Sequence, residues 1–224
     1  MSTSKRVLVI GGSGRTGKLV IEELLLHDHK VTALVRKPEA MQSEIKKGLT
    51  TITGTPLSPS DVRKAFAQSK PETVIVTLSA PRASDSPFAA VTSPPRLMAD
   101  STANIVAVMK EFRTPKIVVM QAFGVGASWA NMHWAMRLLM QKSNMIYQYD
   151  DHNLVAKETE DSGVNYVFVR PARLVEGQAK PVKEYADGRG VGLMAAISRG
   201  SVARFLVDAA EKEDWDRSAP VITN

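Results

Sequence analysis

One stretch near the start, residues 6–26 (RVLVIGGSGRTGKLVIEELLL), limits what this chain can fold into more than any other. Residues 7–10 are an apolar, β-branched run of buried-strand length. Gly11, Gly12 and Gly14 follow at once, and from Lys18 the apolar residues fall at helical spacing. The stretch reads strand, glycine turn, helix. Gly11, Gly14 and Gly17 stand where a chain must turn tightly, let a pyrophosphate approach its backbone and pack a helix onto its strand. The helix start presents unpaired N–H groups and the positive end of a dipole, so Ser13, Arg15 and Thr16 join the glycines as expected phosphate neighbours. Gly12 to Lys18 also satisfies most of a P-loop. That loop needs Ser or Thr next, to hold magnesium, and Leu19 stands there. A turn that binds nothing is the plain alternative; the clean strand and helix on either side favour the nucleotide loop.

The rest of the chain repeats the alternation. Apolar strand-like runs recur at residues 30–35, 49–53, 73–78, 116–120 and 165–169. Helices are expected from Ser60 and Asp61 to about residue 68, and over residues 96–112 after Ser93-Pro94-Pro95. Such alternation predicts an α/β fold: a Rossmann-type, doubly wound parallel sheet with helices on both faces, in a single domain. Ligands bind such sheets beyond the carboxyl ends of the strands. This nominates Thr55, Leu78, Ser79, Ala80, Met120, Gln121, Pro171 and Ala172 as cofactor neighbours.

The residue after the second strand bears on which dinucleotide is bound. An NAD site usually places Asp or Glu there, on the ribose 2′-hydroxyl. This chain has Arg36-Lys37 and no acid until Glu39. A planar guanidinium suits a 2′-phosphate, and Arg15 is placed to join it, so NADP(H) is favoured; a solvated basic loop is the bland alternative.

Composition removes several function classes. Cysteine is absent, which excludes disulfides, thiolate metal sites and cysteine nucleophiles. No apolar run approaches the roughly 18 residues of a membrane span, and residues 1–6 carry no secretory pattern, so the cytoplasm is the expected compartment. The net charge of +6 comes from scattered basic residues, which fits an anionic small molecule better than nucleic acid. Residues 81–95 are rich in Pro, Ser and Ala and read as a loop. Residues 124–144, extended to about 147, read as an inserted segment carrying Trp129, Met132, His133, Trp134, Met136 and Met140. It is either a packing face or an adaptable substrate wall. His133 is expected to be hydrogen-bonded or at the surface, and no metal site is expected around it.

The opening GGSGRTG, Arg36, the run DDHNLVAKETEDSGVNYVFVRPARL and the late YADGRGVG…ISRGSVARFLVDAA together resemble the atypical short-chain dehydrogenases of the NmrA-like, NAD(P)H-binding group, and within it the biliverdin-IXβ and flavin reductase branch. The resemblance spans nearly the whole chain. It implies a usually monomeric Rossmann protein, with a dimer as the alternative, that uses NADPH to reduce flat conjugated small molecules. Ordinary short-chain dehydrogenases carry Tyr-x-x-x-Lys; the register here gives Asn153-x-x-x-Lys157, so the tyrosine is missing and Lys157 is left to hold the nicotinamide ribose. The branch's serine after strand five falls on Gln121, and its histidine after the proline falls on Arg173. Gln121, Arg173, Lys157 and Tyr147 are the resulting catalytic candidates, with Asp150 and Asp151 as further donors or as helix caps. Trp129, His133, Trp134 and Arg173 are the expected substrate contacts.

Three functions fit. The first is an NADPH-dependent reductase of a conjugated or heteroaromatic compound, in specialised metabolism. The second keeps NADP(H) bound and carries out an isomerisation or cyclisation without net redox. The third is a nucleotide-binding redox sensor that contacts a partner protein.

Overall fold

The computed structural model describes residues 4–84 and 86–224. The first three residues of the amino-terminal stretch, and Asp85 of the 81–95 loop, lie outside it. The described chain runs β1 (Arg6–Ile10), α1 (Arg15–Leu26), β2 (Lys30–Val35), a 3-10 turn (Pro38–Met41), α2 (Gln42–Lys46), β3 (Thr50–Thr53), α3 (Pro59–Ser69), β4 (Thr73–Val76), α4 (Leu97–Phe112) and β5 (Lys116–Met120). A second 3-10 turn (Gly126–Asn131) leads into α5 (Trp134–Gln141) and α6 (Met145–Asp161). Then come β6 (Asn165–Pro171), β7 (Arg173–Val175), β8 (Lys183–Tyr185), β9 (Ala196–Ser198), α7 (Arg199–Glu211) and β10 (Val221–Thr223).

The main sheet has the order β3-β2-β1-β4-β5-β6-β10-β8. Its first seven strands pair in parallel, and β8 closes the edge antiparallel to β10. The chain therefore reverses direction of travel between β1 and β4, the position where doubly wound sheets open a crevice. The expected Rossmann-type architecture is the one observed. Continuous apolar strands follow from burial on both faces. Val7, Val9, Val118 and Val167 point to α1 and α7, while Leu8, Ile10, Ile117 and Phe168 point to α3, α4 and α6.

Several boundaries shift by a residue or two from the sequence reading, and two of the shifts have a visible cause. β4 ends at Val76 rather than at 78, because the chain leaves the sheet once Thr77 N–H has bonded to Ile10 O. α4 starts at Leu97, because Arg96 is left-handed, with φ 57°. That helix has no cap of its own. Asp151 supplies it from α6, accepting from Met98 N and Ala99 N, both at 2.9 Å. Asp151 thus caps a helix other than its own, and neither it nor the exposed Asp150 begins a helix.

At the opposite end of the sheet from the crevice, His27 Nδ1 and His29 Nε2 both lie 2.7 Å from Glu211 Oε1. The sequence reading missed this His-Glu cluster, whose atoms are close enough together for a metal. His29 Nδ1 accepts the N–H of Lys5, which puts the ring proton of a neutral imidazole on Nε2, pointing at Glu211. The cluster is hydrogen-bonded as a tie between the end of α7 and the chain on either side of α1.

Candidate active site

The ends of β1, β4, β5 and β6 open into a cleft of about 900 Å³. Its nucleotide end is the glycine loop. Gly11 takes φ +84°, and a Cβ there would sit 2.8 Å from the carbonyl carbon of Thr77. Gly17 lets α1 lie directly on that turn, as a Cβ would collide with Gly11 O and come within 2.8 Å of Gly12 Cα. Gly14, Arg15 and Thr16 line the cleft where α1 begins. Leu78, Ser79, Ala80, Met120, Gln121, Pro171 and Ala172 also line it, as expected for strand ends. Thr55 does not; its N–H is tied to Asp61 Oδ2. Arg36 is exposed just past β2, at the same end of the sheet as the glycine loop. Ser13 is exposed within the loop itself.

The floor is a buried polar group that the sequence did not announce. Gln121 Nε2 donates to His152 O at 3.1 Å, and Gln121 Oε1 accepts from Arg170 Nε at 3.2 Å. Both ends of the Gln121 amide are thus engaged, which fixes its orientation in the floor of the cleft. His152 is buried against the cleft, and its Nδ1 has no hydrogen-bond partner among the described residues. Burial, with the Arg170 charge beside it, pushes its pKa down to about 4, which keeps the ring neutral. Tyr149 donates to Phe123 O at 3.0 Å, and burial pushes its pKa up to about 12. It is a packing and anchoring residue, poorly suited to giving up its proton.

Two catalytic candidates on α6 are not brought to the cleft. Gln148, Tyr149 and His152 are the residues of that helix that face it, together with Met145. Tyr147 and Lys157 each stand five residues from His152, about 140° round the helix at 3.6 residues per turn. Lys157 is 73% exposed and pairs with Asp161 at 2.6 Å, which raises its pKa. Tyr147 is 62% exposed. The register carried over from Tyr-x-x-x-Lys is therefore displaced. Tyr149 and Asn153 hold that spacing one turn earlier, and both tie α6 to the 123–126 turn, Asn153 by accepting from Gly126 N at 2.9 Å.

The 124–147 segment lines the cleft with its methionines and His133, but not with the two tryptophans expected beside them. Met132, Met136 and Met140 face the cleft, and His133 joins them. His133 caps α5, its Nδ1 accepting from Ala135 N at 3.2 Å. Trp129 packs edge-on against Tyr149 behind the wall, with ring centres 6.1 Å apart. Trp134 is 66% exposed on the outer face. Neither tryptophan lines the cleft. Helical spacing could place all these residues on one segment but could not say which side faced inward. Asn144 Nδ2 donates to Phe88 O and Ala89 O, binding this wall to the 81–95 loop, whose Arg82, Ser84 and Pro87 also face the cleft. The opposite lip is Arg173 and residues 191–195.

Fold and site define a dinucleotide-binding protein of the Rossmann type. The chain belongs to the NAD(P)H-binding family, whose profile it matches over residues 11–213. Among solved structures it is similar to ChuY, described as an anaerobilin reductase, from Escherichia coli O157:H7, with 16% identity, coverage of 97% of this chain and 96% of the other, and a TM-score of 0.78. It is similar to a short-chain dehydrogenase/reductase from Veillonella parvula solved in complex with NADP, at 17% identity, 99% and 95% coverage and a TM-score of 0.77. A Rossmann-fold NAD(P)-binding family protein from Shigella flexneri gives 19% identity, 99% and 94% coverage and a TM-score of 0.72. No helix among the described residues is long and apolar enough to cross a membrane.

Proposed function

We propose that this chain, working as one nucleotide-binding unit in the cytoplasm, is an NADPH-dependent reductase of a flat conjugated or heteroaromatic small molecule, in specialised metabolism. The observation that carries this is the cleft itself, which runs without interruption from the glycine loop past the ends of β4, β5 and β6 to the methionine wall. The reductase and NADP-bound relatives support it. The residues fit the cofactor: Gly11 and Gly17 clear the backbone for a close phosphate, α1 directs its amides into the cleft, and Arg15 and Arg36 are the basic residues at the adenosine end.

NADPH, when bound, supplies a hydride. The chain's part is to hold acceptor and cofactor face to face and to favour charge that develops on the acceptor. Met132, Met136 and Met140 give a deformable apolar surface for a flat ring system. Arg173 on the rim and the buried Arg170 beneath the floor bring positive charge to the same end of the cleft, which favours an acceptor gaining electrons. No tyrosine with a lowered pKa is present in the cleft among the described residues, so the proton that completes reduction comes from water at its open mouth.

The test is label transfer. With 4-deuterated NADPH and a panel of flavin, quinone, biliverdin-like and enone acceptors, at least one product carries deuterium as absorbance from NADPH falls. Conversion with no label moved and no NADPH consumed would replace the reductase by an isomerase or cyclase. A second reading, the binding protein, is favoured by one observation: Trp134 and Leu138 stand exposed one turn apart on α5. It predicts NADP(H) binding with no turnover of any acceptor.

Cofactor choice has its own test. Charge-assisted hydrogen bonds to a phosphate are worth about 1.5–3 kcal/mol. Arg36→Glu should therefore weaken NADPH by about ten- to a hundredfold and NADH far less. Equal losses in titrations of the two cofactors would remove Arg36 from the 2′-phosphate.

A further inference from the structure

Arg199 is the first residue of α7, yet its side chain reaches the start of α1. Nη1 donates to Thr16 Oγ1 at 3.1 Å, and Nε donates to Glu176 Oε1 at 2.9 Å. The Arg199 side chain is 11% exposed and lines the cleft with Gly14, Arg15 and Thr16. A guanidinium has five N–H donors. The two bonds named are those Arg199 makes among the described residues, so its fork keeps further donors without a protein acceptor in a side chain that lines the cleft. Its single carboxylate partner is unusual: Glu176 is 71% exposed, follows the end of β7 in a loop, and also lies 3.7 Å from Arg15 Nη1. A nearly buried cation is thus neutralised by a carboxylate that stands mostly in water.

We infer that Arg199 is a ligand for the diphosphate bridge of the dinucleotide, and that Glu176 is a stand-in anion which the bridge displaces. This rests on the nucleotide-binding reading above. A diphosphate carries paired oxygens that a guanidinium binds bidentately, and the α1 amides and Thr16 hydroxyl lie on the same side. A largely exposed carboxylate holds its partners weakly, so it yields to a doubly charged bridge at small cost. Its return on the cofactor's departure keeps Arg199 from standing unpaired. Glu176 therefore lowers affinity and speeds exchange, while Arg199 raises affinity for NADP and NAD alike, because both share the bridge.

Calorimetric titration of NADP+ and NAD+ into the full chain separates these roles. Arg199→Ala should weaken both dinucleotides by the same factor, about ten- to a hundredfold. Arg199→Lys, which keeps charge and loses the fork, should fall between. Glu176→Gln should tighten both about two- to fivefold, and most of that gain should vanish in the Arg199→Ala background, leaving only what Glu176 exerts through Arg15. Melting curves without cofactor establish that each variant is folded. Unchanged affinity in a folded Arg199→Ala, or weaker binding in Glu176→Gln, overturns the inference. Wild-type protein that binds neither dinucleotide overturns instead the nucleotide reading on which it rests.

Discussion

Gly17→Ala should unfold the protein at a markedly lower temperature and abolish measurable cofactor binding. Position 17 lies within α1, where Ala ordinarily stabilises a helix by about 0.5–1 kcal/mol over Gly. Here the added Cβ would meet backbone on two sides, Gly11 O and Gly12 Cα, with Thr77 Oγ1 at 2.9 Å behind. Backbone cannot rotate out of the way as a side-chain tip can, so the helix must lift from the turn. Overpacking of this kind costs about 1–3 kcal/mol, which for a chain of this length lowers Tm by roughly 3–10 °C. The same displacement moves the α1 amides away from the phosphate position. Gly14→Ala is the internal control, since its Cβ meets only Gly11 O at 3.3 Å; it should melt close to wild type. Similar melting temperatures for the two variants would show that the turn is not packed as described.

The three glycines of one motif thus do different work, and this marks where sequence reasoning holds and where it stops. The strand-turn-helix pattern, the parallel doubly wound sheet and the strand-end residues were legible because they follow from short-range periodicity and from rules of topology. Leu78 to Ala80, Met120, Gln121, Pro171 and Ala172 were found in this way. Side-chain direction was less legible. The sequence reading put Lys157 and Tyr147 at the site and started a helix only after Asp150 and Asp151, whereas α6 begins at Met145 and presents Tyr149 and His152 to the cleft. The methionine wall shows the same limit, because its tryptophans and methionines alternate at spacings that permit either face. Least legible were partners brought together by tertiary contact alone. Arg199 and Thr16 are separated by 183 positions, and nothing local to Ser198-Arg199 signals that the side chain crosses to the glycine loop. Asp151 is similar: its residue type suggested a cap, but only the packing of α6 on α4 shows which helix it caps.

Acid should destabilise the fold through His152 well above the range where carboxylates titrate. In the unfolded chain the imidazole has a pKa of about 6.5; in the fold, burial and the neighbouring Arg170 hold it at about 4. Between those values the unfolded state takes up a proton that the native state refuses. Stability from this group is therefore complete above about pH 6.5 and falls as pH drops toward 4, with a slope near 1.4 kcal/mol per pH unit and a total of about 3 kcal/mol. His152→Leu removes the ionisable ring and the buried Nδ1 that lacks a partner, while the backbone carbonyl that accepts from Gln121 stays in place. Its urea midpoint should match wild type or better at pH 7.5 and decline less between pH 6.5 and 4, the difference between the two curves isolating this residue from His27, His29 and His133. Parallel curves would mean that the ring is protonated in the native state. In that case the floor of the cleft would carry two adjacent positive charges, on His152 and Arg170, and an imidazolium would stand at the acceptor's end of the site as a proton donor, in place of the water invoked above.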